Sequence, residues 1–229
     1  MKKTICIAHR GAMAYAPQNT MKSFALACEM KADMIELDVH LTADGAAVVN
    51  HDTDFKHTDP PAGKIRDLTI EQIRALRFQG EPIPTLGEVI EYVKPRGVGL
   101  NIECKVAEVV PEVVRLLKQY KFQKMTIISS FNPRALAEVK KHDESIETAY
   151  LTAPVIYPLG LPRAKKLGCA AIHPNKMQVN AAYMAIARRL GLRVNVWTVN
   201  DEKSMRKLIS LGANGIITNH PDVLNKISN

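Results

Sequence analysis

Aromatic residues, cysteines and long apolar runs are all scarce in this sequence. Phenylalanine, tyrosine and tryptophan together make up 5% of the 229 residues, so a surface built to stack nucleic-acid bases is not indicated. The four cysteines (Cys6, Cys28, Cys104 and Cys169) are isolated and have no Cys-x-x-Cys spacing, which argues against a zinc site. We therefore expect reduced and mostly buried thiols.

No stretch of the chain is long and apolar enough to predict a membrane span. The apolar stretch nearest the amino terminus, Thr4 to Ala8, is shorter than the roughly seven residues that the apolar core of a secretory signal needs. We expect a cytoplasmic protein without stable membrane insertion, either a monomer or a homodimer.

The charge balance is basic, with a formal net charge of +8. The lysines and arginines are spread along the chain, and short pairs such as Lys140-Lys141 and Arg188-Arg189 lie in segments that we predict to be helical. Because no basic run is interleaved with aromatic residues, we expect a solvated basic surface and no nucleic-acid partner. A positive field still favours an anionic small-molecule substrate.

Short apolar runs alternate with longer amphipathic segments, which is typical of βα units around a parallel sheet. The predicted strands number about eight, the count at which such a sheet closes into a barrel. Residues 52 to 84 interrupt the alternation with several prolines. We predict one TIM-barrel domain over residues 1–229, an α/β (β/α)₈ fold with a small insertion at about 52–84, after the second strand.

Polar and aromatic residues fall at or just after the ends of many predicted strands. They are His9, Glu36, Asp38, Glu103, Lys105, Asn195, Trp197 and Asn219. An open, doubly wound sheet also alternates strands and helices, but it does not require such residues at so many strand ends. Active sites of closed barrels are built at this end of the strands.

Glu36 and Asp38 are two residues apart in an apolar strand, so they share one face of it. Carboxylates on an interior face must be paired, must bind a metal or must become neutral. The turn at Asp44-Gly45 and the short apolar run that follows bring His51 back towards them. The same alternation places Glu103 inside the barrel.

Three carboxylates, Glu36, Asp38 and Glu103, would repel one another at one barrel mouth without a counter-charge. Hard oxygen ligands suit Mg²⁺ or Ca²⁺, so we predict a divalent metal site. Arg10 and Lys105 add fixed positive charge that a phosphate could bridge. This combination indicates metal-assisted phosphoryl chemistry.

Two histidines and two aromatic residues complete the candidate site. Because a free imidazole titrates near neutral pH, histidine is the usual acid or base in such sites, and His9 and His51 are the candidates here. Trp197 and Phe131 follow strands, and we interpret them as walls of the substrate pocket. The remaining histidines are interpreted as surface or structural residues.

The order of these motifs resembles that of the glycerophosphodiester phosphodiesterases over nearly the whole chain. The motifs are His9-Arg10-Gly11, Pro17-Gln18-Asn19-Thr20, Glu36-Leu37-Asp38-Val39, Asp44-Gly45, His51-Asp52, Ile83-Pro84-Thr85-Leu86, Ile102-Glu103-Cys104-Lys105, Trp197 and Ile217-Thr218-Asn219-His220-Pro221. The resemblance implies a (β/α)₈ barrel whose insertion helps to shape the glycerol-side pocket. It also implies metal ligation by Glu36, Asp38 and Glu103, acid/base work by His9 and His51, and phosphate contacts from Arg10 and Lys105.

The reaction implied by the resemblance is hydrolysis of glycerophosphodiesters, such as glycerophosphocholine or glycerophosphoethanolamine, to sn-glycerol 3-phosphate and an alcohol. The alternatives are lysophospholipase D-like hydrolysis of lysophospholipids and a phosphodiester-binding barrel without catalysis. The family usually has glutamate where Gln18 stands. The leaving alcohol, the choice between Mg²⁺ and Ca²⁺, and the histidine that acts first are left open.

Overall fold

The computed structural model describes residues 4–153 and 160–228. The strands in this part of the chain are β1 (Ile5–His9), β2 (Met34–Leu41), β3 (Ala47–Val49), β4 (Asp54–Phe55), β5 (Ala62–Lys64), β6 (Arg77–Phe78), β7 (Glu81–Pro82), β8 (Gly99–Cys104), β9 (Thr126–Ser130), β10 (Glu147–Thr152), β11 (Ala171–Pro174), β12 (Arg193–Val196) and β13 (Gly215–Thr218). The α-helices are α1 (Met21–Glu29), α2 (Ile70–Arg74), α3 (Leu86–Val93), α4 (Val110–Gln119), α5 (Pro133–His142), α6 (Gly160–Lys166), α7 (Ala181–Arg189), α8 (Glu202–Ser210) and α9 (Pro221–Ser228).

Eight of these strands form a closed parallel barrel. They run in the order β1, β2, β8, β9, β10, β11, β12 and β13, and β1 pairs with both β2 and β13, which closes the sheet. The predicted (β/α)₈ barrel is confirmed. The hairpin partner β3 adds to β2 in antiparallel fashion through Val39 and Val49, as the turn at Asp44-Gly45 predicts.

Local sequence signals explain where the helices begin. Thr20 and Thr85 cap α1 and α3 with reciprocal side-chain and backbone hydrogen bonds, an arrangement that satisfies amide groups at the helix start. Asn132 caps α5, and Pro133 occupies its first turn, where a missing N–H costs nothing. Both signals can be read from the sequence, and together they mark the start of α5.

The insertion after β2 and β3 contains two small hairpins, β4–β5 and β6–β7, with α2 between them. Helix α2 ends at Arg74, and Arg77 pairs with Pro82 in the following hairpin. The insertion has its own apolar cluster, made of Val48, Phe55, Ile65, Ile73, Leu76 and Ile83. This cluster is separate from the main hydrophobic core, and it packs the insertion against the barrel.

Side-chain alternation on the barrel strands decides what faces the interior. Ile35 and Leu37 are buried in the apolar layer shared with the helices, so Glu36 and Asp38 between them point the other way. The register sets Glu36 beside His9, and Asp38 beside Glu103. The carboxylates therefore lie on neighbouring strands at one level of the barrel mouth.

Asn195, which we expected at the barrel mouth, lies further down the barrel axis. Asn195 pairs in register with Gly215, the first residue of β13, and its side-chain nitrogen contacts His173 Nε2 at 3.0 Å. It lines a cavity together with Thr4 and Ile5 at the amino-terminal end of the barrel. The expectation for Asn195 was wrong because strand ends alone do not give the depth of a residue when neighbouring strands are staggered.

Gly11 gives a direct stability prediction. Its φ is +80°, and a Cβ built there would lie 2.7 Å from the carbonyl carbon of Ser23. We expect Gly11→Ala to lower the free energy of unfolding by more than the roughly 1 to 2 kcal/mol of a left-handed alanine alone. Gly45→Ala is the matched control, since Gly45 has φ +82° and no neighbouring atom within 4 Å. Equal losses in urea unfolding of the two variants would contradict the steric argument.

Candidate active site

A pocket of about 270 Å³ opens at the carboxyl ends of the barrel strands. Its lining residues are His9, Arg10, Glu36, His51, Asn101, Glu103, Lys105, Ser129, Phe131, Leu151, Trp197, Thr198 and Ile217. The structure thus places eight of the nine predicted site residues on the wall of one pocket. The ninth, Asp38, is buried and contacts Arg10 and Lys105 from behind that wall.

Arg10 lies in the loop after β1, and its backbone conformation directs its N–H to Glu36. Arg10 has a positive φ of 51°, and its backbone N–H donates to Glu36 Oε2 at 3.0 Å. The Arg10 carbonyl accepts from the backbone N–H of Asn19 and from the hydroxyl of Ser23, both at 3.0 Å. These bonds hold an unfavourable backbone conformation in place.

Asp38 is the most heavily paired acid of the site. It contacts Lys105 Nζ at 2.7 Å and Arg10 Nε at 3.2 Å, and it accepts a hydrogen bond from Asn19 Nδ2 at 2.8 Å. Burial alone would raise the pKa of Asp38, but the charges of Lys105 and Arg10 outweigh it and lower that pKa. Asp38 is therefore held as a carboxylate.

The negative charges of Glu36 and Glu103 are less fully balanced by neighbouring cations than that of Asp38. Burial, with repulsion from Asp38, raises the pKa of both groups, that of Glu36 well above its ordinary value. Lys105 Nζ also contacts Glu103 Oε1 at 2.6 Å, so one ammonium serves two acids. Arg10 and Lys105 carry two positive charges opposite three carboxylates, so one further positive charge would balance the cluster.

A divalent cation fits this arrangement. One ligand oxygen from each of Glu36, Asp38 and Glu103 lies within 4.8 Å of the other two, and all three residues are buried. Hard carboxylate oxygens at this separation are the donors that Mg²⁺ and Ca²⁺ prefer. The cluster could therefore hold a metal ion, which would favour the charged form of Glu36 and Glu103.

His9 ends β1 and faces the pocket. Its Nδ1 lies 2.7 Å from Asn219 Oδ1, and its Nε2 lies 4.0 Å from Glu36 Oε2. Burial, together with the adjacent Arg10 charge, lowers the pKa of His9 to about 4. The ring is therefore neutral in this environment.

His51 lies on the insertion side of the pocket and is more open, with 39% of its side chain exposed. Its Nδ1 is 2.8 Å from Asp52 Oδ1, and its backbone carbonyl contacts Nε2 of the buried His40 at 3.2 Å. Asp52 and His40 thus fix the ring and the backbone of His51 respectively. The sequence indicated a surface or structural place for His40 and gave no sign of this contact.

Phe131 and Trp197 meet edge to face, with ring centroids 5.6 Å apart and planes at 87°. Trp197 Nε1 donates to the carbonyl of His173 at 2.8 Å, which fixes the indole. Sequence reasoning missed five other lining residues, Asn101, Ser129, Leu151, Thr198 and Ile217. In the sequence they are ordinary strand or loop residues, and only barrel closure brings them together.

Gln18 contacts the site through Arg10. Its Oε1 accepts a hydrogen bond from Arg10 Nη1 at 2.6 Å. A neutral amide at this position holds the guanidinium without neutralising it, so Arg10 keeps more of its charge for an anion than it would beside a carboxylate.

The fold and the site define an α/β-barrel hydrolase whose mouth combines buried carboxylates, two histidines and two basic residues. Comparison with known proteins specifies the family. Residues 9–223 match the Glycerophosphoryl diester phosphodiesterase family. The chain therefore belongs to this family of phosphoric diester hydrolases.

Individual relatives agree with that assignment. A glycerophosphodiester phosphodiesterase of Caldanaerobacter subterraneus is 35% identical over 97% of this chain and 96% of its own. The structure of an Oleispira antarctica phosphodiesterase in complex with the product sn-glycerol-3-phosphate has a TM-score of 0.91 and 30% identity, covering 98% of this chain and 96% of that one. A mouse lysophospholipase D is 25% identical over 97% of this chain and 86% of its own.

Within residues 4–153 and 160–228, no helix combines the length and the apolar character that crossing a membrane requires.

Proposed function

We propose that this chain hydrolyses glycerophosphodiesters to sn-glycerol 3-phosphate and an alcohol, with His9 and His51 as the acid/base pair. The observation that carries the proposal is the shared pocket, in which both histidines face the same buried carboxylate cluster. The sn-glycerol-3-phosphate bound to the Oleispira antarctica protein supports the same product here. A small anionic substrate also suits the positive charge of Arg10 and Lys105.

The first step forms a cyclic phosphate. The glycerol hydroxyl next to the phosphodiester attacks phosphorus and gives its proton to one histidine, while the other histidine protonates the alcohol oxygen as its bond to phosphorus breaks. An internal nucleophile held close to its target replaces a bimolecular encounter, and effective molarities in such cases reach about 10⁵ M or more. Histidines flanking the phosphorus are suited to both proton transfers.

The second step opens the ring. Water attacks phosphorus, the histidine that gave up its proton now accepts one, and the other returns a proton to the glycerol oxygen that leaves phosphorus. Glu36, Asp38 and Glu103 would hold a divalent cation, which supplies charge stabilisation to the phosphoryl oxygens. Arg10 and Lys105 add fixed positive charge at the same oxygens.

Lysophospholipids are the second candidate substrates, favoured by the similarity to the mouse lysophospholipase D. Six apolar residues of the insertion are candidates for an acyl-chain surface: Phe55, Ile65, Leu68, Ile70, Leu76 and Phe78. In the structure Phe55, Ile65 and Leu76 are buried in the insertion's own cluster, and the other three pack against it. Among these six insertion residues little apolar surface is left for a long chain, which favours the short, polar diesters.

A substrate comparison tests the proposal. We expect the purified chain, supplied with Mg²⁺ or Ca²⁺, to release sn-glycerol 3-phosphate from glycerophosphocholine or glycerophosphoethanolamine faster than it cleaves a long-chain lysophosphatidylcholine. An enzyme-coupled assay for glycerol 3-phosphate and one for choline measure the two rates. Faster cleavage of the lysophospholipid would reverse the ranking, and binding without turnover would support a non-catalytic barrel.

A further inference from the structure

Either ring nitrogen of His9 could face the pocket. In the structure it is Nε2. Nδ1 is engaged by Asn219 Oδ1 at 2.7 Å, whereas Nε2 points towards Glu36. An amide oxygen accepts hydrogen bonds only, so a bond to Nδ1 requires the proton to be on Nδ1. Nε2 is then left with its lone pair facing the pocket.

We infer that Asn219 is a positioning residue that sets the tautomer and the ring orientation of His9. The inference rests on the proposed role of His9 in phosphodiester hydrolysis. Asn219 itself does not reach the pocket wall, and its side chain acts only through the imidazole. A partner on the far nitrogen of a catalytic histidine fixes which nitrogen is available for proton transfer.

The barrel closure explains how residues 210 positions apart come to meet. Strand β13 pairs with β1 so that Thr218 lies beside Ala8. Asn219 follows Thr218 as His9 follows Ala8, so the two side chains leave adjacent strands at the same level. The contact is thus a product of the sheet register and not of a mobile loop.

Asn219 is in turn held from several sides. Its backbone N–H donates to Asn200 Oδ1 at 2.9 Å, and the next N–H, that of His220, donates to Thr218 Oγ1 at 3.0 Å. The His220 ring packs edge to face on Tyr15, whose hydroxyl donates to Asp222 at 2.8 Å. These contacts fix the backbone from which the Asn219 side chain reaches His9.

A simpler role for Asn219 would be to cap α9, which begins two residues later at Pro221. The hydrogen bonds of the described residues do not support this, because the Asn219 side-chain oxygen is directed to His9 instead of to the first turn of the helix. The side chain therefore serves the site more directly than it serves the helix.

Asn219→Ala and Asn219→Asp test the inference. We expect the alanine variant to lower kcat by about 10- to 100-fold with KM nearly unchanged, as loss of an orienting partner does elsewhere. The aspartate variant retains an acceptor oxygen and should recover most of the rate. Asn225→Ala is the matched control, since Asn225 donates to the Met30 and Lys31 carbonyls, away from the pocket.

The ¹⁵N NMR shifts of the imidazole provide a readout that a purely structural role would not move. With the His9 signals assigned by comparison with His9→Ala, we expect the wild-type chain in Mg²⁺ to carry its proton on Nδ1, and Asn219→Ala to show a mixture of tautomers. A wild-type proton on Nε2, or unchanged kcat and tautomer in Asn219→Ala, would overturn the inference. The NMR needs no substrate, so absence of turnover in the wild type would count against the proposed function alone.

Discussion

Replacing His9 or His51 by alanine is expected to lower kcat/KM for a glycerophosphodiester by about 10²- to 10⁴-fold, the range that positioned acid/base groups contribute. Each histidine transfers a proton in both proposed steps, so neither step proceeds efficiently without it. Because the two act as a unit, the double variant should be little worse than the more damaged single variant. Steady-state rates of glycerol 3-phosphate release measure the effect.

The control for this prediction is His142→Ala. His142 is the last residue of α5, is exposed and contacts Glu138, so its loss should leave kcat/KM within the error of wild type. Thermal unfolding of all variants separates lost chemistry from lost folding. Retention of near wild-type rates by a folded double variant would remove the histidine mechanism.

Neutralising Glu36 or Glu103 is expected to remove both metal binding and activity. Glu36→Gln or Glu103→Gln takes one of three oxygen donors from a site whose atoms lie within 4.8 Å of one another. Arg10 and Lys105 then suffice to balance the remaining charge, so the affinity for a divalent cation should fall steeply. Isothermal titration with Mg²⁺ and Ca²⁺, alongside rate measurements, records both losses.

A surface glutamate provides the comparison. Glu144, in the turn between α5 and β10, is exposed and lies on the opposite end of the barrel from the site. Glu144→Gln should bind the cation and turn over substrate as the wild type does. Full activity of Glu36→Gln together with unchanged cation affinity would refute the metal assignment.

Much of this architecture follows from sequence periodicity. The two-residue alternation in β2 predicts that Glu36 and Asp38 face away from Ile35 and Leu37, and an apolar strand buried under helices permits only that orientation. The alternation of about eight strands with helices, together with polar residues at so many strand ends, predicts the barrel. The inward direction of Glu103 follows from the same rule.

Contacts that depend on strand register could not be predicted. The depth of Asn195 and the meeting of His9 with Asn219 are both set by how far β12, β13 and β1 are staggered. The left-handed backbone of Arg10 could not be predicted either, because arginine shows no preference for it. Hydrogen bonds with Asn19, Ser23 and Glu36 hold it in place. These features arise from tertiary structure and leave no local pattern.

Phosphorus NMR of glycerophosphoethanolamine with the wild-type chain follows both proposed steps of the hydrolysis in one experiment. With Mg²⁺ or Ca²⁺ present, we expect the diester signal to pass through a cyclic phosphate signal to that of sn-glycerol 3-phosphate, and a chelator to stop this conversion. Equal turnover in the chelator, or release of phosphoethanolamine and free glycerol, would contradict the proposed mechanism.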